Sequence, residues 1–206
     1  VTYYCEPGTG AINRSGCILW TNERNGRSLS YFDGNGKRYA GWLNLKVDGV
    51  TNRYYFQPSD GKASAGCTKI GNYLYYFDPD TKALQRNAAD VMEGVNANGK
   101  TVLYYTGRYE YLLSGWQKVN GTWYWFDPAT KEGSVPEKAE NNWITLNGDV
   151  YYFRNGSSLV KGWQTIHVDG VNGRYYFDGN GILQKGLFTV GSSRYYTNEE
   201  TGKAEA

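Results

Sequence analysis

A triplet of aromatic residues, most often Tyr-Tyr-Phe, recurs along the chain and constrains its fold more than any other feature. A signal that returns every roughly 20–50 residues is typical of repeat architectures, in which each unit packs against the next. We therefore expect an array of similar units and not an ordinary globular core. The triplets begin at Tyr3, Ser30, Tyr54, Tyr75, Tyr104, Tyr124, Tyr151, Tyr175 and Tyr195, with spacings of about 20–29 residues.

The composition supports a core that is made of rings. The 206 residues include 20 Tyr and 7 Trp but 1 Met, and aromatic residues are 17% of the chain. The mean hydropathy is −0.65, so aliphatic side chains are scarce. Tyr and Trp bury a large apolar area and keep one polar edge. We expect these rings to supply most of the apolar burial.

Turn signals divide each unit into two short extended runs. Asn120-Gly121 and Asn147-Gly148 separate such runs, and Asn-Gly between them is a strong predictor of a β-hairpin. A single hairpin is not stable in water, whereas stacked hairpins bury a continuous core. No helical period of useful length is present. The predicted fold class is all-β, a solenoid of stacked β-hairpin repeats of about 20–29 residues each.

A longer period overlies the hairpins. Trp42 and Trp163, and likewise Tyr54 and Tyr175, lie about 120 residues apart. We therefore interpret residues 1–206 as a single repeat array, a fragment of a larger protein, with approximate blocks 1–121 and 122–206.

The cysteines and the first repeat junction leave alternatives open. Either Cys17 or Trp20 can take the position of the Trp that follows Gly in other repeats, and Cys67 stands in that position later. Cys5, Cys17 and Cys67 have no metal-type spacing, and we interpret them as small buried residues. A Cys5–Cys17 disulfide is the alternative.

Charge and residue types argue against several functions. The net charge is +2 and both signs are dispersed, which argues against a nucleic-acid partner, and the absence of a long apolar run argues against membrane insertion. His167 is the single histidine, and no nucleophile–base set is recognisable, so the chain is predicted not to be an enzyme.

Turn aspartates such as Asp127 and Asp178 are expected to cap their own turns. No cofactor is expected, with a structural Ca²⁺ at one of these turns as the alternative.

Residues 115–127 and 162–181 share an order of motifs in which Gly-Trp precedes Asn-Gly, an aromatic triplet and Asp. This pattern resembles the cell-wall-binding, choline-binding-like repeats of Gram-positive surface proteins. The superfamily includes the glucan-binding domains of glucosyltransferases and the repetitive oligopeptide domains of clostridial toxins. The resemblance covers essentially the whole chain and implies an extracellular β-hairpin solenoid that binds and does not catalyse.

The residue before each triplet distinguishes the branches of this superfamily. Choline-binding repeats carry a ring there, and three rings box a quaternary ammonium by cation–π attraction. Here that ring is present only at Trp123, so most such cages are incomplete and the pattern is closer to the glucan-binding and toxin branches. The equivalent positions are Arg53, Leu74, Leu103, Val150, Arg174 and Arg194.

Strand alternation places Tyr175 and Phe177 on one face and Tyr176 on the other, so about half of the triplet rings face outward. Such rings can cover the apolar face of a pyranose while amide and ammonium groups bond its hydroxyls. The predicted ligand-binding residues are Trp42, Tyr55, Tyr76, Trp116, Gln117, Lys118, Trp125, Trp143, Tyr152, Trp163, Gln164, Tyr176, Gln184 and Lys185.

The resulting interpretation is a non-catalytic carbohydrate-binding repeat module of a secreted or cell-surface Gram-positive protein. Its expected partner is a polysaccharide or glycan, which is an α-glucan, a host glycan or a cell-wall polymer. Two alternatives remain open at this point. One is attachment to the cell wall through choline or teichoic acid, and the other is a spacer or protein-interaction stalk without a small ligand.

Overall fold

The structure is a computed structural model that describes residues 16–23, 26–154 and 158–204, without the side chains of residues 138 and 139. Every regular element in these three ranges is a β-strand, and they contain no helix. The all-β class is therefore confirmed. The triplet at Tyr3, and Cys5 with its pairing to Cys17, lie outside the described residues.

Nineteen strands are present in the described ranges. They are β1 (Cys17–Glu23), β2 (Gly26–Phe32), β3 (Gly41–Val47), β4 (Val50–Phe56), β5 (Gly66–Ile70), β6 (Tyr73–Phe77), β7 (Met92–Val95), β8 (Thr101–Tyr104), β9 (Gly115–Val119), β10 (Thr122–Phe126), β11 (Gly133–Ser134), β12 (Lys138–Glu140), β13 (Trp143–Leu146), β14 (Asp149–Arg154), β15 (Ser158–Leu159), β16 (Gly162–Val168), β17 (Val171–Phe177), β18 (Gly186–Val190) and β19 (Ser193–Thr197).

Most strands pair with a sequence neighbour as antiparallel hairpins, from β1–β2 to β18–β19. In addition, β11 pairs with the non-consecutive β8, and β12–β15 form a four-stranded sheet. Each aromatic triplet lies at or just after the end of a second hairpin strand. The predicted turn at Asn147-Gly148 is present, with φ of 52° and 83°. Two consecutive residues in this left-handed region form the turn that suits the twist of a two-residue hairpin. Asn120-Gly121 and Asn147-Gly148 therefore set the register of their hairpins, whereas Asp48-Gly49 and Asp169-Gly170 form the turns of the two longer hairpins.

The two faces of a hairpin have different surroundings. In β16–β17, Gly162 pairs with Phe177 and Trp163 with Tyr176. Phe177 and Tyr175 are buried, whereas Tyr176 and Trp163 on the opposite face are half-buried. The expected alternation of core-facing and outward-facing rings is therefore confirmed in this hairpin.

The chain divides into two compact units. Unit 1 comprises Val1–Gly115 and Phe126–Gly133, and unit 2 comprises Trp116–Trp125 and Ser134–Ala206. The block boundary predicted at residue 121 stays a prediction. One core cluster of unit 1 contains Leu29, Val47, Tyr54, Phe56 and Ala83. The core cluster of unit 2 contains Val160, Ile166, Tyr175, Phe177 and Leu183.

Within each unit, a recurring backbone hydrogen bond joins one hairpin to the next. The acceptor is the carbonyl of the residue before a triplet, and the donor is an amide that follows the next triplet. In unit 1 the amide of Leu84 donates to Arg53 at 2.8 Å, and in unit 2 the amide of Leu183 donates to Val150 at 2.8 Å. This bond stacks the hairpins in chain order, as the predicted solenoid requires.

The turns that follow the triplets are closed by their first side chain. Asp127 Oδ1 accepts hydrogen bonds from the amides of Ala129 and Thr130, each at 2.8 Å. Asp78, Asp178 and Asn198 cap their turns in the same way. These side chains therefore act as turn caps, as predicted.

The first junction differs from both sequence alternatives. Ile18, and neither Cys17 nor Trp20, lies opposite Tyr31, the second ring of its triplet. Trp20 lies opposite Leu29, with the Arg27 guanidinium 4.4 Å from its ring centroid. The pairing register decides this position, because Cys17 pairs with Phe32 and so occupies the place of the usual glycine.

Candidate functional site

Three aromatic rings meet wherever a hairpin that contains both Gly-Trp and an aromatic triplet is followed by another hairpin with a triplet. We name each such group an inter-hairpin ring cluster and identify it by its tryptophan. Trp42 lies opposite Tyr55 in its own hairpin, with ring centroids 5.1 Å apart. Tyr75, the first ring of the next triplet, approaches Trp42 to 5.0 Å. The cluster therefore combines two rings of one hairpin with one ring of its neighbour.

The same arrangement recurs three times in the described part of unit 2. The corresponding centroid distances are Trp116–Trp125 5.3 Å and Trp116–Tyr151 5.0 Å, Trp143–Tyr152 4.9 Å and Trp143–Tyr175 5.3 Å, and Trp163–Tyr176 5.2 Å and Trp163–Tyr195 5.3 Å. The repeated geometry follows from the repeated motif, because Gly-Trp and the triplet occupy the same register positions each time.

A cleft of ≈ 510 Å³ lies beside the Trp143 cluster, within unit 2. Trp143 and Tyr175 form an aromatic wall, and Val150 and Leu183 add aliphatic surface. The volume of this cleft lies within the usual range of small-ligand sites, although its lining is more polar than is typical of them.

Polar side chains from three separate segments also line this cleft. Glu140 belongs to β12, Asp169 to the β16–β17 turn, and Glu200 and Thr201 follow β19. Lys185, which the sequence predicted as a ligand contact, is exposed and lines the same cleft. Carboxylate, hydroxyl and ammonium groups therefore lie around an aromatic wall, which can bond a ligand rich in hydroxyl groups.

The structure places the predicted amides away from this cleft. Gln164 Nε2 donates to the Lys161 carbonyl at 2.6 Å, and its Oε1 accepts a hydrogen bond from Arg154. Gln184 Nε2 donates to the Ile182 carbonyl at 3.2 Å. Both glutamines therefore have local partners, and a ligand must compete with these bonds.

Gln117 and Lys118 lie in β9 beside Trp116. Gln117 is half-buried and Lys118 is exposed. The Lys118 ammonium is 5.5 Å from the ring centroid of Trp123, the residue that precedes the triplet beginning at Tyr124. These two residues therefore lie next to the Trp116 cluster, as the sequence predicted.

Tyr76 is a correction to the predicted site. It is 3% exposed, and its ring packs 5.1 Å from Tyr104. Cys67 occupies the tryptophan position opposite Tyr76, and its thiol donates to the Tyr104 hydroxyl at 3.1 Å. Because cysteine leaves the space of an indole unfilled, Tyr76 packs directly on the next hairpin and becomes part of the core. Cys67 itself is exposed and not buried as expected.

The sequence interpretation did not assign the first triplet rings to the site. Tyr75, Tyr151, Tyr175 and Tyr195 each contact the tryptophan of the preceding hairpin. Burial raises the pKa of Tyr75, Tyr151 and Tyr175 above the usual value for tyrosine, so these hydroxyls stay protonated at neutral pH. The presence of a second triplet after each Gly-Trp hairpin is the signal that could have identified them.

A row of three tyrosines was also missed, in which Tyr73 and Tyr109 are exposed and Tyr111 between them is half-buried. Tyr111 stacks on Tyr73 with centroids 4.2 Å apart and on Tyr109 at 5.0 Å. Tyr111 also contacts Tyr75, 6.4 Å away, which belongs to the Trp42 cluster. Alternation in Tyr109-Glu110-Tyr111 was the available signal, but the partner strand could not be read from it.

Neither a metal-binding group nor a membrane-spanning helix occurs in the described residues. No three His, Cys, Asp or Glu side chains come together there in a way that could hold a metal ion. No helix long and apolar enough to cross a membrane was found among them.

Comparison with known proteins identifies the repeats. A family model described as a putative cell wall binding repeat matches residues 114–128, 141–157 and 161–183. These segments contain the tryptophans of the Trp116, Trp143 and Trp163 clusters together with the second triplet ring of each. Two of the three rings of each of these clusters therefore lie within one matched segment.

Two glucosyltransferases are similar to most of the chain. Glucosyltransferase-S of Streptococcus mutans serotype c is 27% identical over 175 residues, which are 84% of this chain and 11% of that protein. Glucosyltransferase-I of Streptococcus downei is 29% identical over 193 residues, which are 92% of this chain and 10% of that protein. The chain thus spans about a tenth of the length of the curated relatives it matches.

Among solved structures, choline binding protein F from Streptococcus pneumoniae aligns with 95% of this chain and 67% of its own, at 22% identity and a TM-score of 0.49. The resemblance recognised in the sequence is confirmed by the matched motifs, because three segments of this chain match the model of a putative cell wall binding repeat.

Proposed function

We propose that the chain is a non-catalytic carbohydrate-binding module of an extracellular protein, either secreted or on the surface of a Gram-positive bacterium. Its ligand is a glucan or another glycan that binds in shallow aromatic pockets between hairpins. The observation that carries this proposal is the cleft beside Trp143, where an aromatic wall and several hydrogen-bonding groups meet.

The chemistry of the cleft suits a sugar ring. A pyranose has an apolar face of C–H bonds, which the half-buried ring of Trp143 can cover, with the edge of the buried Tyr175 beside it. Its hydroxyls can donate to Glu140 or Glu200 and accept from Lys185. Both kinds of contact are available in one place, which an apolar ligand would not require.

The two similar enzymes support a glucan as the first ligand to test. Both are named as glucosyltransferases, and this chain aligns with about a tenth of each. The chain has a single histidine, and the repeats belong to a family described by cell-wall binding. Binding is therefore the activity assigned to this part of the molecule.

Calorimetry with a soluble α-glucan oligosaccharide tests the proposal. We expect binding by the wild type, and we expect Trp143→Leu to reduce the number of oligosaccharides bound because the aromatic wall is lost. Tyr196→Leu is a matched control, since Tyr196 is exposed and lies outside the ring clusters. An unchanged number of bound ligands in Trp143→Leu would contradict the assignment of this cleft.

Free choline, added as a competitor on a glycan array, separates the alternatives. Glucan binding that choline does not affect supports the proposal. Elution by choline supports attachment through choline or teichoic acid instead. Absence of binding to every glycan and to choline would overturn both binding functions and leave a spacer or protein-interaction stalk.

A further inference from the structure

The residue before each triplet lies close to the tryptophan of its own hairpin. In β3–β4, Trp42 pairs with Tyr55 and Asn44 pairs with Arg53. Positions two apart on a strand share a face, so Arg53 lies diagonally across from Trp42 on the outward face. Arg174 holds the same place relative to Trp163, because Thr165 pairs with Arg174 and Trp163 with Tyr176.

Both arginines place their guanidinium on an indole of a ring cluster. The central guanidinium carbon of Arg53 is 4.6 Å from the Trp42 ring centroid, and that of Arg174 is 4.4 Å from the Trp163 centroid. A cation within about 6 Å of the face of a tryptophan is held by cation–π attraction. The position that a ligand cation would take in these two clusters therefore already contains a positive charge.

The surroundings of the two arginines differ. Arg53 forms an ion pair with Glu110, with Nη1 and Oε2 2.6 Å apart, which anchors the guanidinium in place. Arg174 has no ion pair within the described ranges, so it contributes a full positive charge beside Trp163. Both arrangements repel a second cation, and the effect is stronger at Trp163 because no carboxylate neutralises Arg174.

The Trp143 cluster lacks such an arginine. Val150 holds the position before the triplet, and it lines the cleft together with Trp143. The carboxylates of Glu140, Asp169 and Glu200 border the same cleft. No arginine therefore covers the indole of Trp143, whereas Arg53 and Arg174 cover the indoles of the other two clusters.

We propose that Arg53 and Arg174 determine specificity by occupying the faces of Trp42 and Trp163, so that these two clusters exclude quaternary ammonium groups and accept uncharged ligands. The proposal deepens the carbohydrate-binding function proposed above and rests on it only for the identity of the accepted ligand. The exclusion of cations rests on the positions of the two guanidiniums alone.

Tetramethylammonium, followed by the indole N–H signals in NMR spectra of the full chain, tests this exclusion. Each signal is assigned from the corresponding Trp→Phe variant. We expect the Trp42 and Trp163 signals of the wild type to stay in place. Arg174→Leu should bind the cation at Trp163 at least about tenfold more tightly, which is the size of a cation–π contact at a partly desolvated site. The Trp42 signal should not change in this variant.

The reciprocal variant and a matched control complete the test. Val150→Arg should weaken any shift of the Trp143 signal, because it recreates the blocking geometry. Arg194→Leu should change nothing at Trp163, since Arg194 also precedes a triplet but lies on a hairpin with Leu187 in the tryptophan position. Dispersed indole signals in every variant show that the chain remains folded.

Two results would overturn the proposal. One is a wild-type shift at Trp163 with the same midpoint as in Arg174→Leu, and the other is a folded Arg174→Leu that gains no cation binding. Glucan binding is measured separately on the same samples. Loss of glucan binding with the cation results as expected would overturn the proposed function and leave the role of the arginines standing.

Discussion

At the residue scale, small substitutions in a repeated motif decide what each position does. Arg53 and Val150 precede equivalent triplets, yet one covers an indole and the other opens a cleft. Cys67 in the tryptophan position converts Tyr76 from an outward ring into a buried one. The tryptophan position pairs with the second triplet ring in each of these hairpins, so a change of side chain changes the surface within one shared register.

The acid sensitivity of one turn is a prediction at this scale. The amides of Thr130 and Ala129 hold the pKa of Asp127 below its usual value. A depressed pKa means that the stabilisation is fully present above the unfolded value, about 4, and is lost as pH falls through the lower folded pKa. We expect Asp127→Ala to lower the free energy of unfolding at neutral pH by about 1 kcal/mol, measured by urea denaturation.

Asp127→Asn is the matched variant, because Asn198 already caps an equivalent turn through its Oδ1. This variant keeps the acceptor and removes the titrating group. Its unfolding free energy should therefore fall less than that of the wild type between about pH 5 and pH 3. Equal slopes in the two proteins would show that Asp127 has no part in acid sensitivity.

At the element scale, the hairpin depends on the backbone conformation of its turn. Gly148 has φ of 83°, and a Cβ added there would meet no atom within 4 Å. Gly179 also has open space around it but no positive φ. The two glycines therefore separate the effect of backbone conformation from that of steric contact.

We expect Gly148→Ala to destabilise unit 2 by about 1 kcal/mol, because a side chain disfavours the left-handed region. Gly179→Ala should stay within about 0.5 kcal/mol of the wild type. Urea unfolding followed by tryptophan fluorescence measures both. Equal destabilisation by the two substitutions would contradict a role for the turn conformation.

Local signals made most of the hairpins predictable. Asn147-Gly148 and the alternation in Tyr175-Tyr176-Phe177 gave the turn and the faces, because both depend on residues near in sequence. The burial of Tyr76 was not predictable in this way, since it depends on Tyr104 in the next hairpin and on the small volume of Cys67. Likewise, Arg174 was recognised as a departure from a three-ring cage, but its place over Trp163 required the pairing register.

At the scale of the whole molecule, the ring clusters are several separate candidate sites on one chain. Each cluster is complete within a single unit, and none requires the other unit. Weak sites of this kind gain strength when a polymer can engage more than one of them. Affinity for a polysaccharide should therefore depend on the number of intact clusters more than on any one of them.

A comparison of polymer and oligomer tests this dependence. We expect the wild type to bind a long α-glucan at least about a hundredfold more tightly than a trisaccharide of the same linkage. Trp143→Leu combined with Trp163→Leu should reduce affinity for immobilised polymer far more than either change alone. Affinity of the remaining sites for the trisaccharide should stay the same. Equal losses for polymer and trisaccharide would argue for one dominant site.

The position of each cluster between two hairpins also has an evolutionary consequence. The Trp42 cluster includes Tyr75 of the next hairpin, and the Trp143 cluster includes Tyr175 of the next hairpin. The unit that is gained or lost in evolution is therefore the junction between two hairpins and not a single repeat. Duplication of one hairpin inside an array adds one junction and leaves distant junctions unchanged. Loss of one tryptophan, as at Cys67, silences a single junction. Such genes can lengthen or lose sites one at a time while the remaining junctions keep their function.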